Sequence, residues 1–206
     1  MAILGKLAKA LFGNLTADIK KDSIGIHLTG KAIDFEEQKC KEIAERTIKM
    51  AQESGLFKDG FIPVLAEKIR TISRVGYGYS EPFDKTDCLS LEEKKDLKLN
   101  TRRKYSRELI NGLTEKGIEA VAEKEIVKTM FLQNFHKVSR EYDLKRMEAD
   151  GIKYVEILDC GDERDCKAIK RLKKHYQIDE VPELPLPQCK ADYCRCSYIA
   201  DKKNFQ

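Results

Sequence analysis

The chain is 206 residues long, room for one large domain or for a larger domain with a small satellite. Apolar residues make up 41% and recur at regular spacing, which excludes a disordered protein, and charged residues at 36% imply a heavily solvated surface. A formal net charge of +4, from 39 basic and 35 acidic residues, excludes a globally basic nucleic-acid binder and leaves any such role to local patches.

The opening "MAILGKLAKALFGNL" places Ile3, Leu4, Leu7, Ala8, Leu11 and Phe12 on one helical face. Its lysines interrupt the apolar run of a signal peptide, and no stretch approaches the roughly 20 apolar residues of a membrane span. The expectation is a short amphipathic helix docking on the protein's own body or on a partner, ahead of membrane attachment, in a cytoplasmic protein. "SIGIHL" (residues 23–28) alternates and predicts a short strand or extended arm within 14–32. Asp34 to Glu37 has the form of a capping box, followed by apolar positions at Cys40, Ile43, Ala44, Ile48 and Ala51 and closed by Gly55. A second helix is predicted over 60–73, with Pro63 in its first turn, antiparallel to the first.

Residues 74–88, "RVGYGYSEPFDKTDC", predict a structured loop. Its Tyr77 and Tyr79 are expected to pack over helix ends rather than to form a stacking platform for bases or for a partner's side chains. Ser90-Leu-Glu-Glu93 is another N-cap signature, and helices follow over 91–98, 101–113 and 118–149, the last with a break near Ser139. Asp150-Gly151 ends the run, and "IKYVEIL" (152–158) is β-branched and alternating, the best strand in the chain. The fold class expected is mainly α: an arm over 1–32, a helical domain over 33–150 and a cysteine-rich α+β module over 151–206.

That last segment holds Cys160, Cys166, Cys189, Cys194 and Cys196, five of the seven cysteines, with His175 between the early and late groups. A reducing cytosol disfavours structural disulfides, and an odd total with uneven spacing points to metal ligands. Zn2+ takes four soft or borderline ligands in a tetrahedron. Two thiolates from an early turn and two from a late turn would close one structural zinc site around a short helix in "CKAIKRLKKHY". The first-choice set is Cys166, Cys189, Cys194 and Cys196, with Cys160 able to replace one of the last two; buried free thiols are the alternative.

"GDERDCKAIKRL", "PELPLPQC" and "CRC" together resemble the C-terminal segment of the phage head-morphogenesis (minor head protein) family. The likeness rests on Asp162, Glu163, Arg164, Cys166, Pro185, Pro187, Cys194, Arg195 and Cys196, about a fifth of the chain. Where that family has a second cysteine three residues after the first and a histidine shortly before the terminal pair, this chain has Ile169 and Ala191. The resemblance implies a virion-assembly role beside a portal or scaffold protein, and a virion location.

Two basic groups stand out. Lys94, Lys95, Lys98, Arg102, Arg103, Lys104 and Arg107 form the first, and Lys167, Lys170, Arg171, Lys173 and Lys174 the second. Both are candidates to neutralise phosphates, although Glu92, Glu93, Asp96 and Glu108 make a solvated helix face the simpler reading of the first. His136 reads as a helix histidine rather than a ligand. The acid that zinc deaminases place two residues after a histidine is absent after His175, and no phosphate loop or nucleophile elbow occurs. The sequence therefore favours a non-catalytic binding or assembly protein. The alternatives are a nucleic-acid binder using the two basic groups, and a nuclease- or toxin-like enzyme with a site in the helical region.

Overall fold

The structure, a computed structural model, describes residues 23–75, 82–83, 85–159, 168–172 and 175–205. The protein is mainly α-helical, with a small antiparallel sheet near the C-terminus. Helix α1 spans Ser23–Ser54, α2 Ile62–Val75, α3 Leu91–Asp96, α4 Arg107–Asn111, α5 Glu115–Glu123 and α6 Ile126–Ala149. Strands β1 (Tyr154–Leu158), β2 (His175–Gln177) and β3 (Ser197–Ala200) follow, in the spatial order β2-β1-β3. The chain divides into two compact units, Met1–Gln38 and Lys39–Gln206, so the helices beyond α1's first turns and the cysteine-rich module lie within one unit. Among the described residues no helix is long and apolar enough to cross a membrane.

Local signals set most of the boundaries. Gly55 takes φ +67° directly after α1, and Gly151 takes φ +74° after α6, a backbone region glycine enters without steric cost. At α3 the Glu93 backbone N–H donates to Ser90 Oγ at 3.2 Å, and the Ser90 N–H donates to the Glu93 carboxylate at 2.7 Å, completing the expected capping box. Gly117, in α5, packs so closely on the α1–α2 connection that a Cβ there would lie 2.0 Å from the Leu56 carbonyl oxygen.

Four expectations are corrected. "SIGIHL" and the Asp34–Glu37 segment lie inside α1, because an established helix extends without a new nucleation step. The helix expected over 101–113 is reduced to α4, since residues 99–106 turn back so that the Leu89 N–H donates to the Tyr105 carbonyl at 3.0 Å. The helix over 118–149 is two helices, interrupted at Lys124 and Glu125 rather than near Ser139. Among the described residues of "CKAIKRLKKHY", where a helix is expected, Ile169–Arg171 form a 3-10 turn and His175 lies in β2. The amphipathic start, Tyr77, Tyr79, Cys160, Cys166, Lys167, Lys173 and Lys174 lie outside the described residues.

Two hydrophobic cores result. The first, built from Ala44, Leu65, Ile69, Leu113, Ile126 and their neighbours, holds the helices together. The second joins Met147 of α6 to Val155, Ile157, Leu184, Cys194, Cys196 and Tyr198. Helix α6, about 36 Å long at 1.5 Å per residue, serves both. Val127, Phe131, Asn134, Val138 and Tyr142 recur at helical spacing along one buried face, while Thr129, Arg140 and Met147 share another. The first face meets α1, where Asn134 Nδ2 donates to Met50 Sδ at 3.7 Å and Arg46 grips Glu141 through both carboxylate oxygens, at 2.8 and 2.7 Å.

Candidate metal centre

The second face of α6 seats the late cysteines. Gln133, His136, Lys137 and Arg140, spaced i, i+3, i+4 and i+7, point at one segment of chain. Gln133 Nε2 donates to the Asp192 carbonyl at 2.6 Å, the His136 ring stacks on Tyr193 with centroids 5.8 Å apart, and Lys137 lies 3.5 Å from the Glu183 carboxylate. Arg140, only 4% exposed, sends one terminal nitrogen to the carbonyls of Cys194 (2.8 Å) and Cys196 (3.1 Å) and the other to that of Leu184 (3.2 Å). Tyr198 braces the same loop: its hydroxyl accepts from the Leu184 N–H at 3.0 Å and donates to the Pro182 carbonyl at 2.9 Å. Burial raises that hydroxyl to about 12.

Of the predicted ligands, Cys189, Cys194 and Cys196 are brought together, and Cys194 interacts with the side chains of both others. Cys194 and Cys196 are 6% and 2% exposed and form part of the core wall. No disulfide joins the described cysteines. A hydrogen bond from the Cys196 side chain draws the Cys194 thiol down to about 6 against the opposing effect of burial; the Cys196 backbone, Arg140 and the Cys189 side chain add to it. The thiolate is the ligand form, and the shift of Cys194 lies in its direction.

Arg140 supplies the fit test. Among the described residues it pairs with no carboxylate, and its buried Nε has no hydrogen-bond acceptor. A buried guanidinium compensated only by carbonyl dipoles requires a nearby anion. A zinc ion held by four thiolates carries a net charge of about −2, which would compensate the Arg140 cation beside Cys194 and Cys196, but the three described thiols do not all lie within 4.8 Å of one another, so a bound ion would have to draw them closer. Arg140 was not a sequence candidate, because a polar stripe at helical spacing reads as a solvent face. The only available sign was that the stripe interrupts an otherwise apolar helix shortly before a segment needing a platform.

His136 is a core-side helix histidine as expected: burial, then the charges of Arg140 and Arg195, push its imidazole down to about 4. Of the first basic group, Lys94 donates to the carbonyls of Thr101 (3.0 Å) and Arg103 (3.3 Å), and Arg107 pairs with Glu93 and Asp87. Lys95, Lys98, Arg102, Arg103 and Lys104 are exposed, as is Lys170 of the second group.

A second set of potential ligands was not read from the sequence. Glu156 of β1, His175 of β2 and Asp201 just after β3 each offer one ligand atom, all within 4.8 Å of one another. Comparison with known protein families, with curated proteins and with solved structures returned no match.

Proposed function

We propose that the protein is a non-catalytic binding and assembly protein whose C-terminal module is a structural metal knot, acting beside a portal or scaffold protein as the head-morphogenesis resemblance implies. The observation that carries this reading is the enclosure of Cys194 and Cys196 behind Arg140 in the wall of the second core. Thiols in that position suit structural ligands; a nucleophile or redox centre has to meet its substrate. Zn2+ would be held by Cys189, Cys194 and Cys196, with Cys166 as fourth ligand or Cys160 in place of one of the last two. The ion would supply folding free energy to a segment with short strands and a modest core. Burial in a protein core also fits retention of the ion within a cytoplasmic or virion particle.

Elemental analysis of protein purified without chelator tests the knot. About one equivalent of zinc that Cys189→Ser releases is expected, and less than about half an equivalent of zinc or iron lost with that substitution counts against it. The assembly role predicts that binding to a portal or scaffold protein persists at high salt. The five exposed cations between Lys95 and Lys104 favour a second reading, nucleic-acid binding. It predicts the opposite salt response, a log–log slope of about −0.9 for each phosphate neutralised.

A further inference from the structure

We propose that Glu156, His175 and Asp201 form a divalent-cation site, separate from the cysteines, on the outer face of the sheet. The antiparallel register sets it up. Glu156 stands directly opposite His175 on one side and Ile199 on the other, and Asp201 lies two residues beyond Ile199, so all three fall on one face. Val155 and Ile157, their alternating neighbours, point into the core that contains Cys194 and Cys196. The two sets of donors therefore occupy opposite faces of the sheet, and the outer one stands whether or not the cysteines hold a metal.

The ligands are held by backbone pairing and by a stapled turn. Asp201 is 1% exposed; its Oδ1 accepts from the Lys203 N–H at 2.9 Å, which leaves Oδ2 for His175 Nδ1, 2.6 Å away. Glu156 Oε1 approaches the same nitrogen at 3.4 Å. Asn204 fastens the turn to β1: its Oδ1 accepts from the Lys153 and Tyr154 N–H groups, each at 2.9 Å, and its Nδ2 donates to the Tyr154 and Asp201 carbonyls at 2.7 and 2.6 Å. The Lys203 N–H holds the Asp201 carboxylate by its other oxygen, and bonds of this kind orient metal ligands.

Charge favours the ion. Two carboxylates converge on one imidazole, and a divalent cation there would balance the charge of both. One nitrogen and two carboxylate oxygens suit Zn2+ or a similar first-row ion, with the remaining positions open on the exposed side of His175. Entry replaces the Nδ1 proton and widens the 2.6 Å contact by about 0.7–1.0 Å, so that each donor stands about 2.0–2.2 Å from a tetrahedral ion.

Cadmium-113 NMR of the full chain loaded with Cd2+ tests the proposal, because thiolate-rich and nitrogen/oxygen sites resonate in well-separated regions. A nitrogen/oxygen resonance is expected that Glu156→Gln and His175→Ala both abolish and Cys189→Ser leaves in place. Glu156→Gln is nearly isosteric and keeps the test valid if His175→Ala fails to fold. Equilibrium dialysis against Zn2+ should show Glu156→Gln holding one equivalent less than the parent. Absence of a nitrogen/oxygen resonance, or equal zinc stoichiometry in parent and Glu156→Gln, overturns the site. A thiolate-region resonance missing from the parent chain would instead refute the cysteine knot.

Discussion

Replacing Arg140 with methionine tests the link between the helices and the cysteine module. The substitution preserves much of the side-chain volume and removes the hydrogen bonds to Cys194, Cys196 and Leu184, at 2.8, 3.1 and 3.2 Å. Charge-assisted bonds to buried acceptors contribute about 2 kcal/mol each, a gross loss of about 6 kcal/mol. Recovering the desolvation cost of a buried guanidinium offsets about 3 kcal/mol, leaving a net loss of about 3 kcal/mol. For a chain of this length that lowers the melting temperature by about 6–12 °C. Thermal unfolding with and without chelator, followed by circular dichroism and metal release, measures both stability and metal retention. Arg140→Met should also weaken zinc binding at least about tenfold, as loss of groups that brace the ligands commonly does. Arg140→Lys keeps the charge but not the fork, so it should recover more metal affinity than stability. If Arg140→Met binds zinc as tightly as the parent and loses less than about 1 kcal/mol, the guanidinium is not the counter-charge of the thiolates and the reasoning fails.

Three further outcomes are expected. Cys189→Ser should release the metal and loosen the loop over 182–196 while the sheet and the α1–α6 helical signal persist in circular dichroism; an unchanged melting profile would point to thiols that hold no ion. His136 is neutral in the fold, with its imidazole pushed from 6.5 to about 4, so its effect on stability is constant above pH 6.5 and unfavourable as pH falls toward 4. For this partly exposed ring the loss is about 2 kcal/mol, and His136→Phe should flatten that part of the stability–pH curve; an unaltered slope would count against the burial of the ring. Gly117→Ala would push a methyl group against the Leu56 carbonyl, 2.0 Å from the built Cβ, and should cost about 2–3 kcal/mol by chemical denaturation. A neutral result would mean that α5 can shift off the α1–α2 connection.

What could be read from the sequence was local. Ser90 with Glu93, Gly55, Gly151 and the alternation of β1 each carry their signal within a few residues, and each has its expected structural role. What could not be read depends on pairing over distance. "HYQ" and "SYIA" are too short to mark themselves as strands, and become strands only because β1 lies between them. Glu156, His175 and Asp201 are 19 and 26 residues apart in sequence and meet only through that register. The late cysteines were legible as a group because three of them fall within eight residues, but Arg140, 54 residues before Cys194, was not. In α1 the alternation of "SIGIHL" is too brief to separate a strand period from a helix running ahead of its strongest segment.

The placement of α6 would give the proposed metal knot a wider consequence than closing a small module. One face of the helix is held to α1 by Arg46 with Glu141 and by Asn134 with Met50, and another is held to the cysteine loop by Arg140. The carbonyls that Arg140 binds belong to Cys194 and Cys196, immediately before β3, and Tyr198 fixes β3 to the proline-rich approach through Pro182 and Leu184. The position of β3 in turn determines where Asp201 meets His175. Under the proposed reading, an ion among the cysteines therefore acts first on the inner face of the sheet, and through the register of β3 on the outer one. Weakening the Arg140 contacts should disturb Asp201 before it disturbs α2 or α3, since neither of those helices contributes to the second core.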